Sequence, residues 1–188
     1  MSISKLEPRN RDEIRDHLLR LDLADRRLRF FGAVGDGFIR SFCNRIDWGR
    51  TVMIGYRSGN VLRGLAQLSM AGGTEPATAE FAASVEKPFQ NRGIGTDLLR
   101  KSIALARNRF IRDLHMACLP ENLGMQRMAQ KCGASLAFRD QEMAGRIRSP
   151  WPSPLTLLEE AEIEAAAFYP GDQDNSLGTI GTADTRAA

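Results

Sequence analysis

The chain has 188 residues, 43% of them hydrophobic and 26% charged, with a formal net charge of +3 and a pI near 9.0. That size and balance describe one soluble domain with a single core, and no apolar run approaches the ~20 residues needed to cross a bilayer. Three cysteines without C-x-x-C spacing argue against a disulfide framework or a zinc site, and the basic charge comes without a helix-turn-helix, zinc or RNA-binding aromatic motif, so neither a metal nor nucleic acid is expected. Residues 1–8 lack the apolar stretch of a secretory signal, which with reduced thiols points to the cytoplasm.

In chain order, residues 10–21 carry Ile14, Leu18, Leu19 and Leu21 at near-helical spacing, with Asp12 and Glu13 in the first turn. A second helical piece, 23–31, stops at Gly32, and Gly35-Asp36-Gly37 opens a third over 38–46. Strands follow at 51–57 and 62–70, joined through Ser58-Gly59-Asn60, a hairpin signal. Residues 71–77 turn into a strand-like run over 78–86. Leu98, Leu99, Ile103, Ala106 and Phe110 then form one apolar helical face, followed by a short buried strand over 113–119. Asn122 is a good N-cap for a helix over 123–132, and Gly133 a good stop. Residues 135–139 and 142–148 pair as a final hairpin. The three prolines of Ser149-Pro150-Trp151-Pro152-Ser153-Pro154 mark a boundary before an acidic amphipathic helix over 155–168. From Pro170 the chain is poor in large apolar residues and reads as a flexible tail. The expected units are therefore 1–149, 150–169 and 170–188. The acidic helix docks either on the main unit or on a second copy of the chain, as in a homodimer, and its sequence leaves both open.

The most informative stretch is Gln90-Asn91-Arg92-Gly93-Ile94-Gly95, between the 78–86 strand and the following helix. A turn with glycines two apart that opens directly into a helix presents unpaired N–H groups at the positive end of the helix dipole, which is an anion site and usually a phosphate site. Gly93 and Gly95 allow close approach of backbone to ligand, and Arg92 inside the loop adds charge. The spacing is neither a P-loop nor a dinucleotide fingerprint.

The pattern Q-x-x-G-x-G after a strand and before a helix resembles the GNAT superfamily of acyl-CoA-dependent N-acetyltransferases. The second block of that family reads N-x-x-A-…-Y-x-K-x-G-F; here Asn122, Lys131 and Gly133 match, while Ala129 stands for the Tyr and Ala134 for the Phe. Leu28-Arg29-Phe30-Phe31, Arg45-Ile46-Asp47-Trp48 and Ala79-Glu80-Phe81-Ala82 are similar to the subgroup that includes bacterial protein-lysine acetyltransferases, so the resemblance spans about residues 10–148. It implies an α/β fold with a mixed, mostly antiparallel central sheet flanked by helices and a splayed strand pair at the acyl-CoA site.

It also implies acetyl-CoA as cosubstrate and an amine acceptor, either a protein lysine or a small molecule. By the same resemblance Glu80 is the general base, with Glu86 a weaker alternative. The backbones of Ala83, Ser84 and Val85 line the splay, the Val85 amide facing the thioester oxygen. Gln90, Asn91, Arg92, Gly93, Ile94, Gly95, Thr96 and Asn122 complete the cofactor site. The missing Tyr leaves the group that protonates the CoA thiolate unidentified, since Tyr56 and Tyr169 lie elsewhere. It also keeps two other classes in view, a degenerate module that senses acetyl-CoA and a partner-binding protein using the acidic helix.

Overall fold

The computed structural model describes residues 2–71 and 78–168. Residues 72–77 of the turn expected over 71–77, and the tail expected from 170, lie outside the described residues. Seven strands form one sheet in the order β1-β2-β3-β4-β5-β7-β6. They are β1 (Ile3–Leu6), β2 (Thr51–Ser58), β3 (Val61–Met70), β4 (Thr78–Val85), β5 (Asp113–Cys118), β6 (Ser135–Arg139) and β7 (Glu142–Arg148). Every neighbouring pair is antiparallel except β4 and β5. The helices among the described residues are α1 (Arg11–Arg20), α2 (Leu23–Phe30), α3 (Asp36–Asn44), α4 (Ile94–Asn108), α5 (Leu123–Lys131) and α6 (Pro154–Phe168).

Strand alternation sorts the side chains into two cores. On one face Leu6, Met53 and Leu65 meet Ile14 and Leu18 of α1 and Ile39 and Cys43 of α3. On the other, Ile54, Leu68 and Phe81 meet Ile94, Leu98 and Leu99 of α4, Met128 of α5 and Ile163 of α6. The mixed, mostly antiparallel sheet with helices on both faces is the fold class that the family resemblance implies.

Local chemistry sets the boundaries. Asp22 caps α2 by accepting from Asp25 N at 2.8 Å, and the helix ends at Phe31 in the left-handed region, φ 62°. Asn122 caps α5 by accepting from Met125 N at 3.0 Å. α3 begins at Asp36, two residues earlier than expected, because an acidic first residue suits the helix dipole and Gly37 is tolerated in the first turn.

One element escaped the sequence reading. Four residues with Ser4 and Lys5 among them carry too little periodicity to announce a strand, yet β1 pairs with β2 from Ile3 opposite Tyr56 to Leu6 opposite Met53. α6 packs against β1 and α4 of the same chain. Ile163 is 0% exposed, and Lys5 Nζ meets Glu164 at 2.8 Å. Asn108 Nδ2 donates to Thr156 O at 2.8 Å, and Arg109 pairs with Glu160 at 2.8 Å.

Candidate functional site

β4 and β5 run side by side for only three residue pairs, ending at Glu80 opposite His115. Beyond that pair, β4 stays on β3 through Val85 opposite Gly64, while β5 stays on β7 through Cys118 opposite Met143. The sheet therefore forks. Glu86 N donates to Arg63 O on the β3 side at 2.9 Å, and alternation then turns the main-chain groups of Ser84 to β3 and those of Phe81, Ala83 and Val85 into the fork. Ala83 and the N–H of Val85 thus present a strand edge unpaired among the described residues, Val85 O being taken by Gln90, and Ser84 does not.

At the far end of β4 the chain makes a short 3-10 turn over Lys87–Phe89 and enters the glycine loop. Asn91 and Gly93 are both left-handed, φ 59° and 83°, so the chain turns sharply before α4 begins. The first helical bond is Asp97 N to Gly93 O at 3.0 Å. The backbone N–H groups of Asn91, Arg92, Gly93, Ile94, Gly95 and Thr96 have no partner among the described residues, and they converge on the positive end of a 15-residue helix. Gly95 lies against α5: a Cβ there would sit 3.2 Å from Met128 Sδ. Arg92 flanks the loop with its guanidinium 5.5 Å from the Phe89 ring centroid.

Gln90 has a different place from the one expected. Its Nε2 donates to Val85 O at 2.9 Å and to the Asp25 carboxylate at 3.2 and 3.3 Å, so the side chain braces the loop against β4 and α2. Asn122 uses Oδ1 for its cap and also lines the fork.

Glu80 is exposed at the mouth of the fork, next to Ser69 on β3 and His115 on β5 in register. It lines a cavity of about 220 Å³ together with Arg29, Ala83, Cys118 and Asn122. Glu86 is not its equivalent. Its side chain is 7% exposed and bound by Arg20 Nε at 2.8 Å, Arg63 Nη1 at 2.7 Å and His17 Nδ1 at 3.2 Å. Burial alone would push this carboxyl up, but the hydrogen bonds from His17, Arg63 and Arg20 outweigh it and hold the pKa at about 2. A carboxylate so occupied is no proton acceptor for a substrate.

His17, wholly buried in α1, links this cluster to Ser84, whose Oγ lies 2.9 Å from Nε2. Burial lowers the His17 pKa against the opposing pull of Glu86, so the ring is neutral. The network assigns the proton to Nδ1 facing Glu86, with Nε2 accepting from Ser84. The sequence reading missed this brace, and it missed Arg29 and the adjacency of His115 to Glu80. Only topology brings these residues together. Ala129, at the place of the family's Tyr, is buried and carries no hydroxyl.

Residues 17–134 match the Acetyltransferase (GNAT) family. No curated protein sequence matches the chain. Among solved structures, the GNAT domain of Streptomyces lividans PAT superposes with a TM-score of 0.68 at 21% identity, covering 78% of this chain and 89% of that one. The Salmonella typhimurium yncA protein, solved with its cofactor acetyl-CoA, gives 0.62 at 14% identity, covering 79% and 94%. A GNAT-family acetyltransferase from Streptococcus pneumoniae gives 0.60 at 15% identity, covering 77% and 95%. The family match spans the forked strands and the free amide loop alike, and the chain belongs to the GNAT acetyltransferases, enzymes that move an acetyl group from acetyl-CoA to an amine.

Proposed function

We propose that this protein acetylates a primary amine by direct attack on acetyl-CoA, with Glu80 as general base. The observation that carries the reading is the opening of β4 from β5 immediately beyond Glu80, with a turn of free amides at the other end of the same strand. These residues fit a long polyanionic thioester. The Asn91–Thr96 amides and Arg92 suit its pyrophosphate, and the free edge formed by Ala83 and the Val85 N–H suits an amide-bearing arm lying as an added strand. Asn122 keeps its amide donors for the same arm. When bound, acetyl-CoA supplies an acyl group activated for nucleophilic attack.

An amine of pKa ~10 is protonated at neutral pH and must lose a proton to react. Glu80 stands at the fork with an exposed carboxylate that takes this proton directly or through water. The Val85 N–H, turned into the fork, donates to the carbonyl oxygen as negative charge builds on it. A thiol of pKa ~8.5 leaves acceptably without an acid, so Ala129 does not stop the reaction. The three cysteines are free, in keeping with a reducing compartment such as the cytoplasm.

Glu80→Gln keeps the shape and removes proton acceptance. Thiol release with amine acceptors should fall at least ~100-fold while acetyl-CoA affinity, read by calorimetry, stays unchanged. An unaltered rate and pH profile would reduce Glu80 to a structural carboxylate. The absence of a hydroxyl at Ala129 favours a second reading, an acetyl-CoA sensor. Tight binding with no thiol release across a panel of amines and proteins would establish that one instead.

A further inference from the structure

Arg29 lines one cavity and touches two residues that line another. It lines the cavity of about 220 Å³ in the fork, beside Glu80. Its Nη2 donates to Gln67 Oε1 at 2.7 Å, and its guanidinium lies 5.0 and 5.8 Å from the ring centroids of Phe30 and Phe42. Phe42 and Gln67 in turn line a second cavity of about 410 Å³ together with Arg45 and Asp47.

Arg26, one turn earlier on α2, shows what a satisfied buried arginine looks like in this fold. It donates to Leu21 O, Leu19 O and the Asp36 carboxylate. Arg57, Arg63 and Arg109 likewise meet carboxylates. Arg29 has none among the described residues. Gln67 is its one hydrogen-bond partner there, and its Nε is fully buried without any. Burial draws its pKa down to about 10 against the opposing charge of Glu80, so it remains a cation at neutral pH. A guanidinium lying beside two rings, partly desolvated, on a residue that lines a cavity and with most of its donors unused among the described residues, is a ready fork for a carboxylate.

We propose that Arg29 anchors a carboxylate carried by the acceptor, so that the amine acetylated is that of a small amino acid-like molecule. A carboxylate on Arg29 puts a neighbouring amine in the cavity shared with Glu80. The nearby cation also favours the neutral form of the amine, which is the form that attacks. This inference rests on the acetyl-transfer reading for the reaction, but the carboxylate anchor itself is a matter of binding and is tested separately.

The test compares L-leucine with its decarboxylated amine and its carboxamide, which bracket the change in amine basicity, and with a lysine-containing peptide. L-Phenylalanine and its two counterparts form a second set. Thiol release and calorimetric binding in the presence of CoA are read for the full chain and for Arg29→Gln and Arg29→Lys, with melting curves confirming that the variants fold. The carboxylated member of each set should have kcat/KM about 10- to 100-fold above its partners, the range of a charge-assisted pair. Arg29→Gln should erase that preference chiefly through KM, and Arg29→Lys should retain part of it. Faster turnover of the peptide or of the uncharged amines would overturn the anchor, as would equal loss on all acceptors in Arg29→Gln. Arg29-dependent binding of amino acids without thiol release would uphold the anchor and overturn the transfer reading.

Discussion

Replacing Glu86 by Gln should destabilise the domain and remove a defined part of its acid sensitivity. The carboxylate is almost fully buried and receives Arg20, Arg63 and His17, which together lower its pKa from 4.5 to about 2. A shift of that size corresponds to about 3 kcal/mol of folding stability at neutral pH. Arg20 is 36% exposed, so solvent screens part of this and about 2–3 kcal/mol is the working figure. The variant also leaves two guanidinium groups facing a neutral amide.

For a domain of this size the melting temperature should drop by about 5–10 °C near pH 7. The sign with pH follows from linkage. A carboxylate whose pKa is depressed by folding stabilises fully above its unfolded value, and the stabilisation drains away as pH falls from ~5 towards ~2. The gap between wild type and variant should therefore narrow as pH falls, with about 2 kcal/mol already lost by pH 3. His17 adds to the acid sensitivity of the wild type. Its pKa is lowered by burial, so its share begins to be lost below ~6.5, where the unfolded chain takes up a proton that the folded one refuses. Melting curves of both proteins at several pH values measure this. A variant within 2 °C of wild type near pH 7, or a gap that does not narrow between pH 5 and 3, would refute the reasoning.

The glycine loop and the last helix give further expectations. Gly93 sits at φ 83° with open space around its Cβ direction, so Gly93→Val strains the turn by about 1–2 kcal/mol and should abolish CoA binding in a folded protein; wild-type affinity in calorimetry would sink the phosphate-loop reading. Gly95→Val should also weaken CoA binding, but it presses on Met128 and should lower the melting temperature more than a Gly95→Ala change does. Ile163→Ala opens a cavity in the main core and should cost about 2–5 kcal/mol, roughly 5–15 °C in a melt, whereas a shift under 1 °C would make α6 a loose appendage.

Much of the fold was legible because local chemistry and topology agree. The strand, glycine turn and helix around residues 78–108 announce themselves by period and by Gly93 and Gly95, and the β6–β7 hairpin falls on its expected residues, 135–139 and 142–148. β1 was invisible because four residues cannot display a period, and their strand character comes from pairing with β2. Glu86 alternates with Glu80 along the chain and so read as its understudy, but it lies just past the strand's end, where α1 supplies His17 and Arg20 from nearly 70 residues away. Arg29 was legible as part of a family signature and not as a site residue. Its lack of a carboxylate partner among the described residues is a property of the neighbours that the fold assembles around it.

The seam between β1 and α6 bears on how the protein is made. Lys5 and Glu164 are 159 positions apart, and Ile3 and Ile163 belong to one core. At ~5–20 residues added per second, the first strand waits roughly 8–30 s on the ribosome before the helix that seals it has been synthesised. By the end of that interval the strands of the sheet have been made but an apolar flank is without its cover. A product cut short before Ile163 keeps that flank open for good, which makes it a target for chaperones and proteases. The native seam thereby distinguishes a chain that carries α6 from one that lacks it.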